Sequence, residues 1–221
     1  MASYIMPTLV TGFFPFDGRN VNSSWVAASS LRNVATLRIP VVWGKPLELL
    51  QAAITEFEPS IIISLGEGKE EYFHIETVAR NKRNLRQDND GQLPSAAIIT
   101  GAPDSLHATI DSAALHRALK AEQIPVRISN DAGGFLCEET LYVLEMMKLQ
   151  RPVVETVVFV HLPPFGTELV YQGKPCTCEA VILSDFANRL LASVEELHIF
   201  SSSPLRSALK TMDNDCKIVS K

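Results

Sequence analysis

Five short runs rich in β-branched and apolar residues alternate along the chain with five longer stretches of helical period. The runs are Thr8 to Thr11, Leu37 to Trp43, Ile61 to Leu65, Val126 to Ser129 and Thr156 to His161; the helical stretches are Ser23 to Leu31, Pro46 to Phe57, Ser112 to Glu122, Glu138 to Lys148 and Ala180 to Leu197. Such alternation predicts an α/β fold, a three-layer α/β/α sandwich around a central twisted, mainly parallel sheet. With 221 residues, 46% of them hydrophobic, the chain has material for one core rather than two, so residues 1–200 are expected to form a single domain. The stretch 201–221 opens on three serines and a proline, has little apolar period, and is expected to be a loosely ordered tail. Arg80 to Pro94 is polar and carries Asp88-Asn89-Asp90-Gly91, which predicts a long surface loop.

A net charge of −5 without a basic stripe argues against nucleic acid or an anionic membrane surface as partners. No stretch approaches the roughly 18 to 20 apolar residues of a membrane span. Met1 to Phe14 lacks the basic start of a signal peptide, so a cytoplasmic protein acting on small molecules or peptides is expected. Cys137, Cys176, Cys178 and Cys216 are too few for a disulfide scaffold at this length. Reduced thiols are the expectation, and one of them could serve as a nucleophile.

Doubly wound sheets bind ligands outside the carboxyl ends of their strands. Leu65-Gly66-Glu67-Gly68, Ser129 through Cys137 and His161-Leu162-Pro163-Pro164 occupy such positions. Cys137 follows a glycine pair and opens a helical pattern, where the positive end of a helix would stabilise a thiolate; the alternative is a buried cysteine packed as a small hydrophobe. His161 ends an apolar run before two prolines, placing it either as a general base or as a strand-end imidazole bonded to a carbonyl. Glu76 could orient that imidazole, although a glutamate alone is ordinarily a solvated residue. Phe13, Phe14 and Phe16 crowd the first turn, as core or as a flat apolar slot for a small planar ring.

The string Gly12-Phe13-Phe14-Pro15-Phe16-Asp17-Gly18, continued as Asn20-Val21-Asn22-Ser23-Ser24-Trp25, resembles the opening motif of the pyroglutamyl peptidase I family of cysteine peptidases. Arg38-Ile39-Pro40-Val41-Val42-Trp43, Pro59 to Ile63, Glu76-x-Val78-Ala79-x-Asn81, Asp88-Asn89-x-Gly91, Ala132-Gly133-x-Phe135-x-Cys137 and His161-x-Pro163 follow in family order, from about Val10 to Pro163. The resemblance implies hydrolysis of the bond after an N-terminal pyroglutamyl residue of a small peptide, with Cys137 as nucleophile, His161 as base and Glu76 as orienting carboxylate. It further implies ring-binding phenylalanines at Phe13 and Phe16, with Phe135 lining the same pocket, a polar substrate contact at Asn22, and an oxyanion-assisting arginine at Arg86. No metal or organic cofactor is expected, and there is room for a homo-oligomer, dimer or tetramer.

Several positions depart from the family pattern. Its glycine-glutamine-alanine-glycine-glycine-arginine loop reads Gly66-Glu67-Gly68-Lys69-Glu70-Glu71, which assigns Glu67 to the substrate pocket in place of glutamine. Ser23 replaces a proline, Phe14 an acid and Glu138 an asparagine, and one residue is missing between Arg86 and Asp88. Acids beside the nucleophile should oppose thiolate formation if they face it, whereas Glu138 facing solvent would merely complement the helix dipole. A divergent member that binds or cleaves another lactam or amide, or has lost catalysis, is the alternative. His74-x-Glu76 with Cys176-x-Cys178 faintly resembles a zinc deaminase signature, but one residue rather than two separates the cysteines.

Overall fold

The computed structural model describes residues 8–202. Six strands form the central sheet: β1 (Thr8–Phe13), β2 (Ala35–Ile39), β3 (Ile61–Glu67), β4 (Phe73–Glu76), β7 (Val126–Ser129) and β8 (Thr156–Leu162). Their order is β2-β1-β3-β8-β4-β7. All pairs are parallel except β4 with β8, so the expected mainly parallel sheet carries a reversed edge made of β4 and β7. Two small hairpin sheets lie outside it, β5 (Val78–Arg80) with β6 (Ser105–His107), and β9 (Glu168–Tyr171) with β10 (Lys174–Thr177).

Helices cover both faces: α1 (Ser23–Ser30), α3 (Ser112–Ala121) and α5 (Ala180–Ser202) on one, α2 (Lys45–Phe57) and α4 (Leu136–Gln150) on the other. Each layer closes its own apolar core, one around Phe73, Phe186 and Leu190, the other around Leu50, Tyr142 and Phe159. Strands β3 and β8 are buried along their whole length, as central strands covered on both sides must be. Their near-continuous aliphatic sequence is therefore a consequence of position. Among the described residues no helix is long and apolar enough to cross a membrane.

Local chemistry sets the helix starts. Asn22 caps α1 by accepting the Ser24 N–H at 3.0 Å, and Asp111 caps α3 by accepting that of Ala114 at 2.9 Å. Several boundaries differ from the sequence reading by one or more residues, and three of the differences have a physical consequence. The strand expected over Leu37 to Trp43 lies at Ala35–Ile39, because Pro40 has no N–H for the ladder. The helix α4 begins at Leu136, two residues early, which puts Cys137 inside its first turn. Helix α5 continues to Ser202, so Ser201 and Ser202 are helical; the rest of the expected tail, with Cys216, lies outside the described residues.

Candidate active site

Cys137 and His161 meet at a glycine. Register pairs His161 on β8 with Gly66 on β3, and a Cβ at Gly66 would lie 2.8 Å from the Cys137 sulfur and 2.9 Å from His161 Cδ2. A Cβ at Gly68 would lie 2.7 Å from His161 Cβ. The two glycines thus make the floor on which thiol and imidazole approach each other, a role that only a residue without a side chain can fill. Phe135, extended at φ −103° and ψ −156°, is the N-cap of α4, so Cys137 sits at the positive end of that helix.

On its other side the imidazole is fixed by a carboxylate. His161 Nδ1 donates to Glu76 Oε1 at 2.8 Å, with both residues buried. Burial by itself would lower the His161 pKa, but charge attraction and hydrogen bonding to Cys137, followed by the Glu76 bond, raise it to about 10. An imidazolium held beside the sulfur at neutral pH is the partner that a thiolate needs. Cys137, His161 and Glu76 come together as the sequence motifs imply.

A cavity of about 220 Å³ opens in front of them, small against the roughly 300–1,000 Å³ of drug-sized sites. Phe13, Phe16 and Phe135 line it. The Phe16 and Phe135 rings stand 6.3 Å apart at 52°, and Trp43 supports Phe135 edge-on at 5.1 Å. Arg86 also borders the cavity; its guanidinium lies 4.2 Å from the Phe135 ring centre, and it pairs with Asp17. The flat apolar slot is therefore framed by charge on one rim.

Two expected substrate contacts turn out to be committed elsewhere while still lining the cavity. Asn22 Oδ1 accepts the Ser24 N–H and, at 2.7 Å, its hydroxyl, while Nδ2 donates to the Phe14 carbonyl at 3.1 Å. The Glu67 side chain is 1% exposed. One of its oxygens pairs with Arg19, and the other accepts the Ser23 N–H at 2.9 Å and hydroxyl at 3.0 Å. An acid so surrounded by donors opposes a nearby thiolate far less than a bare carboxylate would.

Glu138 follows neither of the orientations weighed for it. It is buried, outside the cavity lining, and accepts the Arg80 N–H at 2.5 Å. Burial raises its pKa, against hydrogen bonds from the Arg80 and Gly134 backbone. It ties the helix that carries Cys137 to β5 and to the glycine loop before it. Glu139, also in the first turn, is bonded by Arg83 Nε at 2.7 Å and Gly44 N at 2.8 Å.

Sequence reasoning missed His74, Lys69 and Asp131 as cavity residues. A signal existed for His74, since a period of two puts it on the face that carries Glu76 once β4 is recognised as a strand. The zinc-like residues do not converge: Cys176 borders a separate groove beside β9 and β10, and Cys178 donates to the Pro163 carbonyl at 3.4 Å. Among the described residues, no three His, Cys, Asp or Glu side chains are grouped to hold a metal.

The chain as a whole also resembles known proteins. Residues 6–190 match the pyroglutamyl peptidase family. The chain belongs to that family. It is 38% identical over 180 residues to the pyrrolidone-carboxylate peptidase of Gloeobacter violaceus, covering 76% of this chain and 87% of that protein. The Thermococcus onnurineus enzyme of the same name is 32% identical over 179 residues, covering 77% and 90%. Among solved structures, pyroglutamyl peptidase I of Bacillus amyloliquefaciens superposes with a TM-score of 0.76 at 25% identity, covering 88% of this chain and 95% of that one. Membership in the pyroglutamyl peptidase family accounts for the α/β fold, and the match ends at residue 190, before the helix α5 does.

Proposed function

We propose that this member of the pyroglutamyl peptidase family is an active cysteine peptidase that removes N-terminal pyroglutamate from small peptides. The observation that carries the reading is the convergence of the Cys137 sulfur and the His161 ring on Gly66, with Glu76 at 2.8 Å on the far nitrogen. The Cys137 thiolate attacks the carbonyl joining pyroglutamate to the next residue, and the developing oxyanion faces the amino end of α4. The His161 imidazolium gives its proton to the leaving amine as the C–N bond breaks, leaving a thioester. Neutral His161 then takes a proton from water, whose oxygen displaces the thiolate and releases pyroglutamate. Glu76 keeps the Nδ1 proton in place throughout and steadies the charge on the ring.

The cavity lined by Phe13, Phe16 and Phe135 suits an uncharged planar lactam and discriminates against an N-terminal glutamate, whose charges would lose their water without gaining partners. Arg86 stands on the rim with an exposed guanidinium that can help balance the oxyanion. Thiol and imidazole complete the cycle without a metal or organic cofactor, in the reducing cytoplasm where the thiol is preserved.

Turnover of a pyroglutamyl-aminocoumarin substrate tests the assignment. The purified protein should release the dye, iodoacetamide should stop it, a chelator should leave it intact, and Cys137→Ala should abolish it. Dye release by the alanine variant at the parent rate, or comparable kcat/KM for prolyl and pyroglutamyl substrates, would overturn it.

A further inference from the structure

Strand pairing draws a row across the front of the sheet. Gly66 on β3, His161 on β8, His74 on β4 and Arg127 on β7 are successive neighbours, and paired residues share a face. The row leads from His161 away from β1, which carries Phe13, and out to the edge strand β7. His74, half-buried, lines the cavity. Tyr72 meets the His74 ring edge-on at 6.4 Å, and the exposed Arg127 guanidinium lies 3.4 Å from the centre of the Tyr72 ring. Lys69, exposed on the loop after β3, borders the same cavity. Burial is the main cause that lowers the His74 pKa, and His161, Arg127 and Lys69 add to it against Glu76, so both cations lie within electrostatic reach of this imidazole.

Both cations are open to a ligand: neither Lys69 nor Arg127 pairs with a carboxylate among the described residues, a condition they share with several other lysines and arginines, and it is their place beside His74 that singles them out. Of the nearby acids, Asp131 lines the same cavity and accepts the Gly133 N–H at 3.1 Å, while Glu71 borders, together with Tyr72, the adjoining groove beside β9 and β10. Glu70 is exposed on the same loop as Lys69. Once a pyroglutamyl ring fills the aromatic slot and its carbonyl reaches Cys137, the remainder of the peptide must leave on the opposite side of His161, along this row. Adjacent strands are about 4.8 Å apart, which sets Arg127 about 10 Å beyond His161, and an extended peptide rising about 3.3 Å per residue covers that span in about three residues.

Resting on the peptidase reading, we propose that His74, Tyr72, Arg127 and Lys69 form a subsite for the leaving peptide that selects a carboxylate at the second or third residue after the scissile bond. That carboxylate is an acidic side chain or the free C-terminus of a short peptide. Tyr72 and the His74 ring carry the peptide, and Arg127, held flat on Tyr72, meets the carboxylate with Lys69.

The test compares kcat/KM for pyroglutamyl-Ala-Ala-Asp-amide with pyroglutamyl-Ala-Ala-Asn-amide, and for pyroglutamyl-Ala-Ala with its amide. The acid of at least one pair should lead by about fivefold at low salt, mainly through KM, and the lead should shrink as salt is added; which pair responds identifies the source of the carboxylate. Arg127→Gln should bring the ratio toward one and Arg127→Glu should invert it. Equal values for acid and amide in both pairs of the parent protein, or a preference that survives Arg127→Glu, overturns the subsite alone. Failure of the parent protein to cleave pyroglutamyl-aminocoumarin overturns the peptidase reading and the subsite with it.

Discussion

The Ser23 backbone N–H donates to Glu67 Oε2 at 2.9 Å, and the Ser23 hydroxyl reaches the same oxygen at 3.0 Å. Ser23 stands where the pyroglutamyl peptidase I motif has proline, and Glu67 where it has glutamine. Proline has no N–H to give, so the two departures act as one change, in which a carboxylate gains the two donors it needs. Arg19 supplies a third from the loop that bears Phe16. The acid that the sequence placed beside the thiolate is therefore a brace between β3, the start of α1 and the aromatic loop.

Coupling between these positions is directly measurable. Proline suits the first position of a helix, so Ser23→Pro should be conformationally acceptable yet strip Glu67 of two donors. Kcat/KM should fall at least about tenfold, since a hydrogen bond to a charged group is worth roughly 1.5–3 kcal/mol and about 1.4 kcal/mol is a factor of ten. Adding Glu67→Gln should recover most of the loss. Additive effects in the double-mutant cycle would show that the positions are independent.

His161 gives the site a high-pH limb. Its raised pKa means that the imidazolium persists through neutral pH and is lost as pH rises through about 10, taking with it the proton for the leaving amine. Glu76 is one of the groups that raise it, so Glu76→Gln should move the limb to lower pH and reduce kcat by orders of magnitude, as loss of other triad carboxylates does. The pH profile of kcat/KM for both proteins reads this out. An unmoved limb would mean that Glu76 does not bear on the proton.

Gly66→Ala probes the crowding itself. The added methyl would press on the Cys137 sulfur at 2.8 Å, His161 Cδ2 at 2.9 Å and the Phe159 ring at 3.0 Å. Overpacking of a buried site costs roughly 1–3 kcal/mol of stability, and a displacement of about 1 Å between reacting groups can cost about a hundredfold in rate. The variant should stay folded by circular dichroism while kcat drops by about that factor. Parent-like kcat would show that thiol and imidazole do not depend on this floor.

The parts of this protein that were legible in its sequence are those governed by local rules. Aliphatic runs announce β3 and β8, and Pro46 marks the start of α2. Cys137, His161 and Glu76 are legible only through motif resemblance, because they are far apart in the chain and become neighbours by register. What stayed hidden depends on tertiary context. The strand β4 is four residues with a histidine and a glutamate, and it is a strand because β8 and β7 flank it. Missing it concealed His74, and with it the pairing that sets Arg127 on the expected strand Val126–Ser129 beside His74. The orientation of Glu138 was equally out of reach, since its partner Arg80 N is 58 residues away.

Glu145 makes the protein's stability depend on pH apart from catalysis. On α4 it is 2% exposed, with Oε1 unpartnered among the described residues and Oε2 accepting the Thr109 hydroxyl at 3.3 Å. Burial raises its pKa from 4.5 to about 7, against the pull of Lys148 and of hydrogen bonds from Thr109. A carboxyl whose folded pKa is raised stabilises most where it is protonated in both states. Its contribution is full below about 4.5 and is lost as pH climbs through about 7, on the order of 3 kcal/mol in all. Glu145→Gln keeps the shape and the bond to Thr109 but has no proton to lose. Denaturant midpoints at pH 4.5, 6 and 8 should fall with pH more steeply in the parent than in the variant, with the variant the more stable at pH 8. Parallel curves would mean that the Glu145 carboxyl ionises in the folded protein as easily as in the unfolded chain, which its burial against β6 and the Thr109 loop should forbid.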